Sequence, residues 1–134
     1  MNKVVLMGRM VRDPELKYTP SNVAVVSFTI AVDRRFVKQG EERQADFINV
    51  VAWRNTAEFV AKYFGKGQMI ALGGSIQTRT WQDTNGNNRY ATEVIAEDVY
   101  FAGEKKNQQQ NGNVEEMPRY DEANMPQYDG DLPF

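Results

Sequence analysis

The sequence predicts an all-β domain: a five-stranded barrel with one helix between strands 3 and 4, followed by a disordered acidic C-terminal tail. Short apolar stretches with a period of two fill most of residues 1–103, the pattern of half-buried strands. One segment, "NTAEFVAKYFGKG", switches to helical spacing. After Gly103 the composition breaks. "EKKNQQQNGNVEEMPRYDEANMPQYDGDLPF" has no apolar period and is rich in Gln, Asn, Glu, Asp and Pro. Such a stretch buries too little apolar surface to offset its ordering entropy.

Val4-Val5-Leu6-Met7 is apolar on both parities, as expected of a first strand covered on two sides. In "AVVSFTIAVDRRF", Ala24, Val26, Phe28, Ile30 and Val32 fall on one face, with Ser27, Thr29 and Asp33 on the other. "DFINVVAWR" is the third strand. The fourth, "QMIALGGSIQTRTW", contains Gly73-Gly74, a pair suited to a sharp bend in a barrel strand. Asp83 to Asn87 is turn chemistry, and "RYATEVIAEDVYF" is the fifth strand. In the helix, Phe59, Val60, Tyr63 and Phe64 form a core-facing stripe, Asn55 is placed as the N-cap with Glu58 three residues on, and Gly65 as the C-terminal cap. Strand-strand-strand-helix-strand-strand is the order of an OB-fold, whose face and loops commonly hold oligonucleotides or oligosaccharides.

At 134 residues there is room for one domain and a remainder. The expected division is residues 1–103 as the barrel, 104–128 as a disordered linker and 129–134 as a separate acidic tip. The chain has neither Cys nor His. No disulfide, thiolate metal site or imidazole base is available, and no cofactor is expected. No signal peptide or membrane span is legible, so a cytoplasmic location is expected. Glu97 and Asp98 are strand neighbours pointing to opposite faces, a poor carboxylate pair. A nuclease would need acids converging from distant strands. An enzyme is not expected.

The net charge of −2 hides a sorting. Residues 1–103 hold 13 Lys and Arg against 11 Asp and Glu, and the remainder holds 3 against 7. In the third strand Phe47, Asn49, Val51 and Trp53 share a parity, while the small aliphatics Ile48, Val50 and Ala52 take the other, the expected barrel interior. The alternative is the reverse assignment, with both rings in the core. Ser75, Gln77, Arg79 and Trp81 share another polar face, Phe36 follows Arg34-Arg35, and Arg89-Tyr90 stand opposite Trp81. Aromatics interleaved with basic residues suit single-stranded nucleic acid: every base has a face to stack, and cations neutralise phosphates. An RNA-binding OB module is the alternative of the same surface chemistry.

At these residues the chain resembles the bacterial single-stranded DNA-binding protein family. The resemblance rests on "NKVVLMGRMVRDPELKYT", "DFINVVAWRNTAEFVAKYFGKG", "GSIQTRTWQDTNGNNRYATEV" and the terminal "DLPF". It implies an OB-fold core in a homotetramer, wrapped by single-stranded DNA, without enzymatic activity or cofactor. The stacking positions it implies are Phe36, Phe47, Trp53 and Trp81, the first two often Trp in relatives. The phosphate contacts it implies are Arg34, Arg35, Arg54, Lys62 and Arg79. Asp129, Asp131, Leu132, Pro133 and Phe134 become a docking peptide for replication, repair and recombination proteins, with the protein working in the nucleoid. The tip is physically suited to docking, since Phe134 can fill an apolar pocket while its carboxylate meets a cation at the rim. Two departures stand out, since Gly130 interrupts the acidic run and the tether is short.

Overall fold

The structure, a computed structural model, describes residues 1–103. The elements run β1 (Val4–Met10), β2 (Glu15–Tyr18), β3 (Ala24–Asp33), β4 (Ala45–Trp53), α1 (Arg54–Tyr63), β5 (Met69–Gln82) and β6 (Asn88–Phe101). The strands lie in the order β1-β5-β6-β4-β3-β2. A further pairing of β1 with β3, at Arg9↔Ala31 and Met10↔Ile30, closes the sheet on itself. The result is the barrel expected, with one more strand. The strand missed is β2, whose "ELKY" is too short to show a period and reads as charged. It is held to β3 by the Leu16↔Val26 and Tyr18↔Ala24 register.

Alternation decides the interior. Ala24, Val26, Phe28 and Ile30 of β3 meet Val50 and Ala52 of β4, Ile70 and Leu72 of β5, and Val94 and Ala96 of β6 in one buried cluster. Small aliphatics dominate because a narrow barrel leaves little width for larger side chains. Helix α1 closes one end, placing Ala57, Val60 and the following Phe64 in that cluster, all fully buried. Of the aromatic stripe expected to be core, Phe59 is half-buried and Tyr63 is exposed at the rim. Their rings join Phe64 and Phe101 in a cluster of edge-to-face and stacked contacts.

The helix caps differ from expectation. Trp53, in extended conformation, is the N-cap and makes no side-chain capping bond. Arg54 already opens the helix, at φ 58°, so Asn55 lies inside the first turn. The strand runs straight into the helix and the whole change of direction falls on Arg54, leaving no flanking position for Asn55 to cap. At the other end Phe64, not Gly65, is the cap, and the left-handed conformation falls on Gly67 at φ 87°.

Gly73-Gly74 does break the register of β5 against β6. Asp98 faces Gly73 and Ala96 faces Gly74, which leaves Glu97 without an opposite residue. A Cβ on Gly74 would collide with the carbonyl oxygen of Ile95, so only glycine permits this approach. Beyond Ile76 and Val94, past the last pairing of β6 with β4, the two strands continue as an arm paired only with each other. The Asn2 side chain pins its base, donating from Nδ2 to the Ile76 carbonyl at 2.8 Å and accepting from the Ile76 amide at 2.9 Å.

Candidate nucleic-acid interface

The outer face of β4 carries Phe47, Asn49, Val51 and Trp53, the parity opposite to the core residues Val50 and Ala52. It is less open than the sequence suggested. Val51 and, on β3, Val25, Thr29 and Ala31 are buried. Phe47 packs with Ala45 against Val11 and Ala31 in a second small cluster, so it offers only part of its ring. The Thr29 hydroxyl donates to Asn49 Oδ1 at 3.0 Å, ordering the polar centre of the face.

Register locates the other rings. Val51 pairs with Ile95, which pairs with Ser75, and Gln77, Arg79 and Trp81 continue the Ser75 parity outward along the arm. Because β6 runs parallel to β4 and β5 antiparallel to it, the arm extends toward the Ala45 end of β4. Phe36 follows Asp33, which pairs with Ala45, and so belongs to that end too. Phe36, Phe47 and Trp81 are therefore grouped toward one end of the face. Trp53 stands at the other end, six residues from Phe47 or about 20 Å along the strand. Trp53 and Arg54 border a shallow depression with Thr19, Pro20, Ser21 and Val23 of the β2–β3 turn. These turn residues were not foreseen; "TPSN" announces a turn but nothing in it points to a ligand.

The basic residues divide into two groups. Arg35, Arg54 and Lys62 are exposed, with Arg35 5.8 Å from the Phe36 ring centroid and Lys62 5.2 Å from that of Tyr63. Arg34 is exposed but engaged: its guanidinium forks onto Asp46 and reaches Gln44 Oε1 at 3.0 Å. The Asp46 carboxylate raises its already high pKa. Arg79 is largely buried, bonded to the Glu93 carboxylate at 2.6 Å and lying 4.3 Å from the Trp81 ring centroid. The family resemblance implied Arg79 as a phosphate contact; here its guanidinium is engaged by Glu93 and lies over the Trp81 ring. Glu93, which no sequence motif marked, is the partner that holds it there.

At the tip of the arm, Asp83 organises the turn as expected. Its Oδ1 accepts from the amides of Asn85 and Asn87, both at 2.9 Å, its Oδ2 from Arg89 at 3.0 Å, and Gly86 takes φ 80°. The Asn87 amide, aided by Arg89 and the Asn85 amide, holds the Asp83 carboxyl below its ordinary pKa against a smaller opposing effect of burial. A depressed carboxylate stabilises the fold above the ordinary range near pH 4, and that contribution fades as pH falls through the lowered value. The amide resonances of Asn85 and Asn87 should stay fixed from neutrality to about pH 4 and move only below it. Movement already at pH 6 would refute the assignment.

Among the described residues no group of acids is placed to hold a metal ion, and no helix is long and apolar enough to cross a membrane. The acidic tip lies outside the described residues, as does the whole stretch from 104 on.

A closed barrel capped by one helix, with rings and cations on an outer face, defines a ligand-binding OB-fold rather than a catalytic centre. The family model described as the single-strand binding protein family matches residues 1–102, and the chain belongs to that family. Its members are non-enzymatic, in keeping with the reading of the residues. The chain is 51% identical over 107 residues to single-stranded DNA-binding protein 2 of Listeria monocytogenes, covering 80% of this chain and 67% of that one. It is 46% identical to single-stranded DNA-binding protein 3 of Clostridium acetobutylicum, with both chains covered entirely. A solved structure described as a Plasmodium falciparum SSB complex with ssDNA superposes with a TM-score of 0.69 at 28% identity, covering 77% of this chain and 96% of that one.

Proposed function

We propose that this chain binds single-stranded DNA without sequence preference, protects it during replication, repair and recombination, and recruits other proteins through residues 129–134. The observation that supports this most directly is that Trp53 and Trp81 both lie on the outer parity of their strands, outside the buried cluster, with the exposed Arg54 beside Trp53. Unpaired bases stack on Trp53 and Trp81, and in part on Phe36 and Phe47, each stack contributing about 1–3 kcal/mol. Arg35, Arg54 and Lys62 meet phosphates. Arg34 joins them by exchanging Asp46 for a phosphate, because a solvent-exposed ion pair is weak and readily traded. Duplex DNA hides its bases and is a poor ligand for such a face.

Assembly as a homotetramer is part of the proposal. Val5 and Met7 of β1 and Tyr100 of β6 are exposed on the barrel wall, and along Val4–Gly8 the registered partner of β1 is β5. Sedimentation of the free protein reads this directly. The tip acts as an acidic peptide with an apolar end, tethered in the cytoplasm near the nucleoid DNA. Deleting residues 129–134 abolishes capture of partner proteins and tightens DNA binding slightly at low salt, since the acidic tail no longer competes.

Titration with oligo(dT) tests the DNA reading. Tryptophan emission is quenched, and log K falls linearly with log salt by about 0.7 for each phosphate neutralised. No quenching at low salt refutes it. Preference for oligo(rU) over oligo(dT) of equal length replaces it with RNA binding.

A further inference from the structure

We propose that Glu93 and Arg79 are positioning residues that hold the Trp81 indole in its stacking orientation and occupy one of its faces, so that a base stacks only on the other. The inference rests on the proposed stacking role of Trp81.

The carboxylate of Glu93 belongs to a residue only 4% exposed, and the Arg79 side chain is 16% exposed. The cost of removing both charges from water is roughly balanced by their mutual attraction, so such a pair adds little net stability. What it adds is geometry. Gln77 is registered opposite Glu93 and Arg79 opposite Ala91, so Arg79 reaches Glu93 diagonally across the two strands. Its Nε donates to Glu93 Oε1 at 2.6 Å while its Cζ lies 4.3 Å from the Trp81 ring centroid. A planar guanidinium can do both at once, bonding in its plane and stacking through its face; an ammonium cannot.

Two consequences follow for the bound state. The indole is pre-ordered before DNA arrives, which lowers the ordering cost of the stack. The Arg79 charge is neutralised by Glu93 and contributes no counterion release, unlike Arg35 or Arg54. Arg79 thus sits in the binding face while standing outside its salt dependence.

The substitution R79K separates this role from phosphate contact, because it keeps the charge and loses the plane. The expected result with full-length protein and oligo(dT) is a roughly three- to tenfold loss of affinity, comparable to a cation–π contact. Trp81 emission, isolated in a W53F background, shifts before any DNA is added. The double variant Arg79→Leu with Glu93→Leu leaves no orphaned charge. It should lose affinity by a similar factor with the salt slope unchanged. Native affinity and emission in R79K, or a slope shallower by about 0.7 in the double variant, would overturn the inference and make Arg79 a phosphate ligand. W81A distinguishes the levels: if it binds oligo(dT) like the parent, the stacking reading of Trp81 fails and the positioning role fails with it. If W81A weakens binding while R79K does not, only the positioning role falls.

Discussion

Replacing Trp53 and Trp81 together by alanine is expected to weaken oligo(dT) binding by about 2–6 kcal/mol, the sum of two stacks. The two rings lie toward opposite ends of the face, so their losses should add to within a few tenths of a kcal/mol. Each single variant should therefore show about half of the total. Fold and melting temperature should be little changed, because neither ring belongs to the buried cluster. Fluorescence anisotropy of a labelled oligo(dT), compared with thermal melting of the same variants, makes the measurement. Collapse of the fold with little intrinsic loss of affinity would mean that these rings support the barrel rather than the ligand.

The opposite pattern is expected at Phe64. It is fully buried under the helix and stacked at 4.9 Å on Phe101. Phe64→Ala removes a large core side chain at a site where α1 closes the barrel and cannot easily follow the lost volume. The cost should be about 3–5 kcal/mol of stability. For a domain of this size that corresponds to a fall in melting temperature of about 10 °C or more. Oligo(dT) affinity measured well below the transition should match the parent, since Phe64 lies inside the wall and away from the face. A variant that melts normally would show that the helix is not the closure described here.

The two sets of aromatics also show what could be read before any coordinates. Strand parity separated Trp53 from Val50 and Ala52, and a period of two is robust wherever one side of a strand is buried. Gly73-Gly74 announced its bend because only residues without side chains allow such an approach. The short β2 escaped because four residues with two charges carry no measurable period. The helix start was misplaced because Asn55 and Glu58 satisfy a local capping pattern that the uninterrupted strand-to-helix junction at Arg54 overrides. At the face itself, residue types were legible and their engagements were not. Whether an arginine looks to solvent or is held by an acid depends on cross-strand register, and neither Asp46 for Arg34 nor Glu93 for Arg79 can be inferred from spacing alone. The depression beside Trp53 is of the same kind, since the β2–β3 turn that borders it is distant in sequence from the ring it meets.

Beyond Ile76 and Val94 the arm pairs only β5 with β6, so its length is independent of the dimensions of the barrel. Inserting two residues into each strand of the arm would move the indole outward by roughly 7 Å while keeping it on the same side. Inserting a single residue would turn it to the opposite side of the arm, away from the outer face of β4. A chain of this fold can therefore vary the span between the rings of β4 and of the arm in pair-wise increments without altering a single residue of the core.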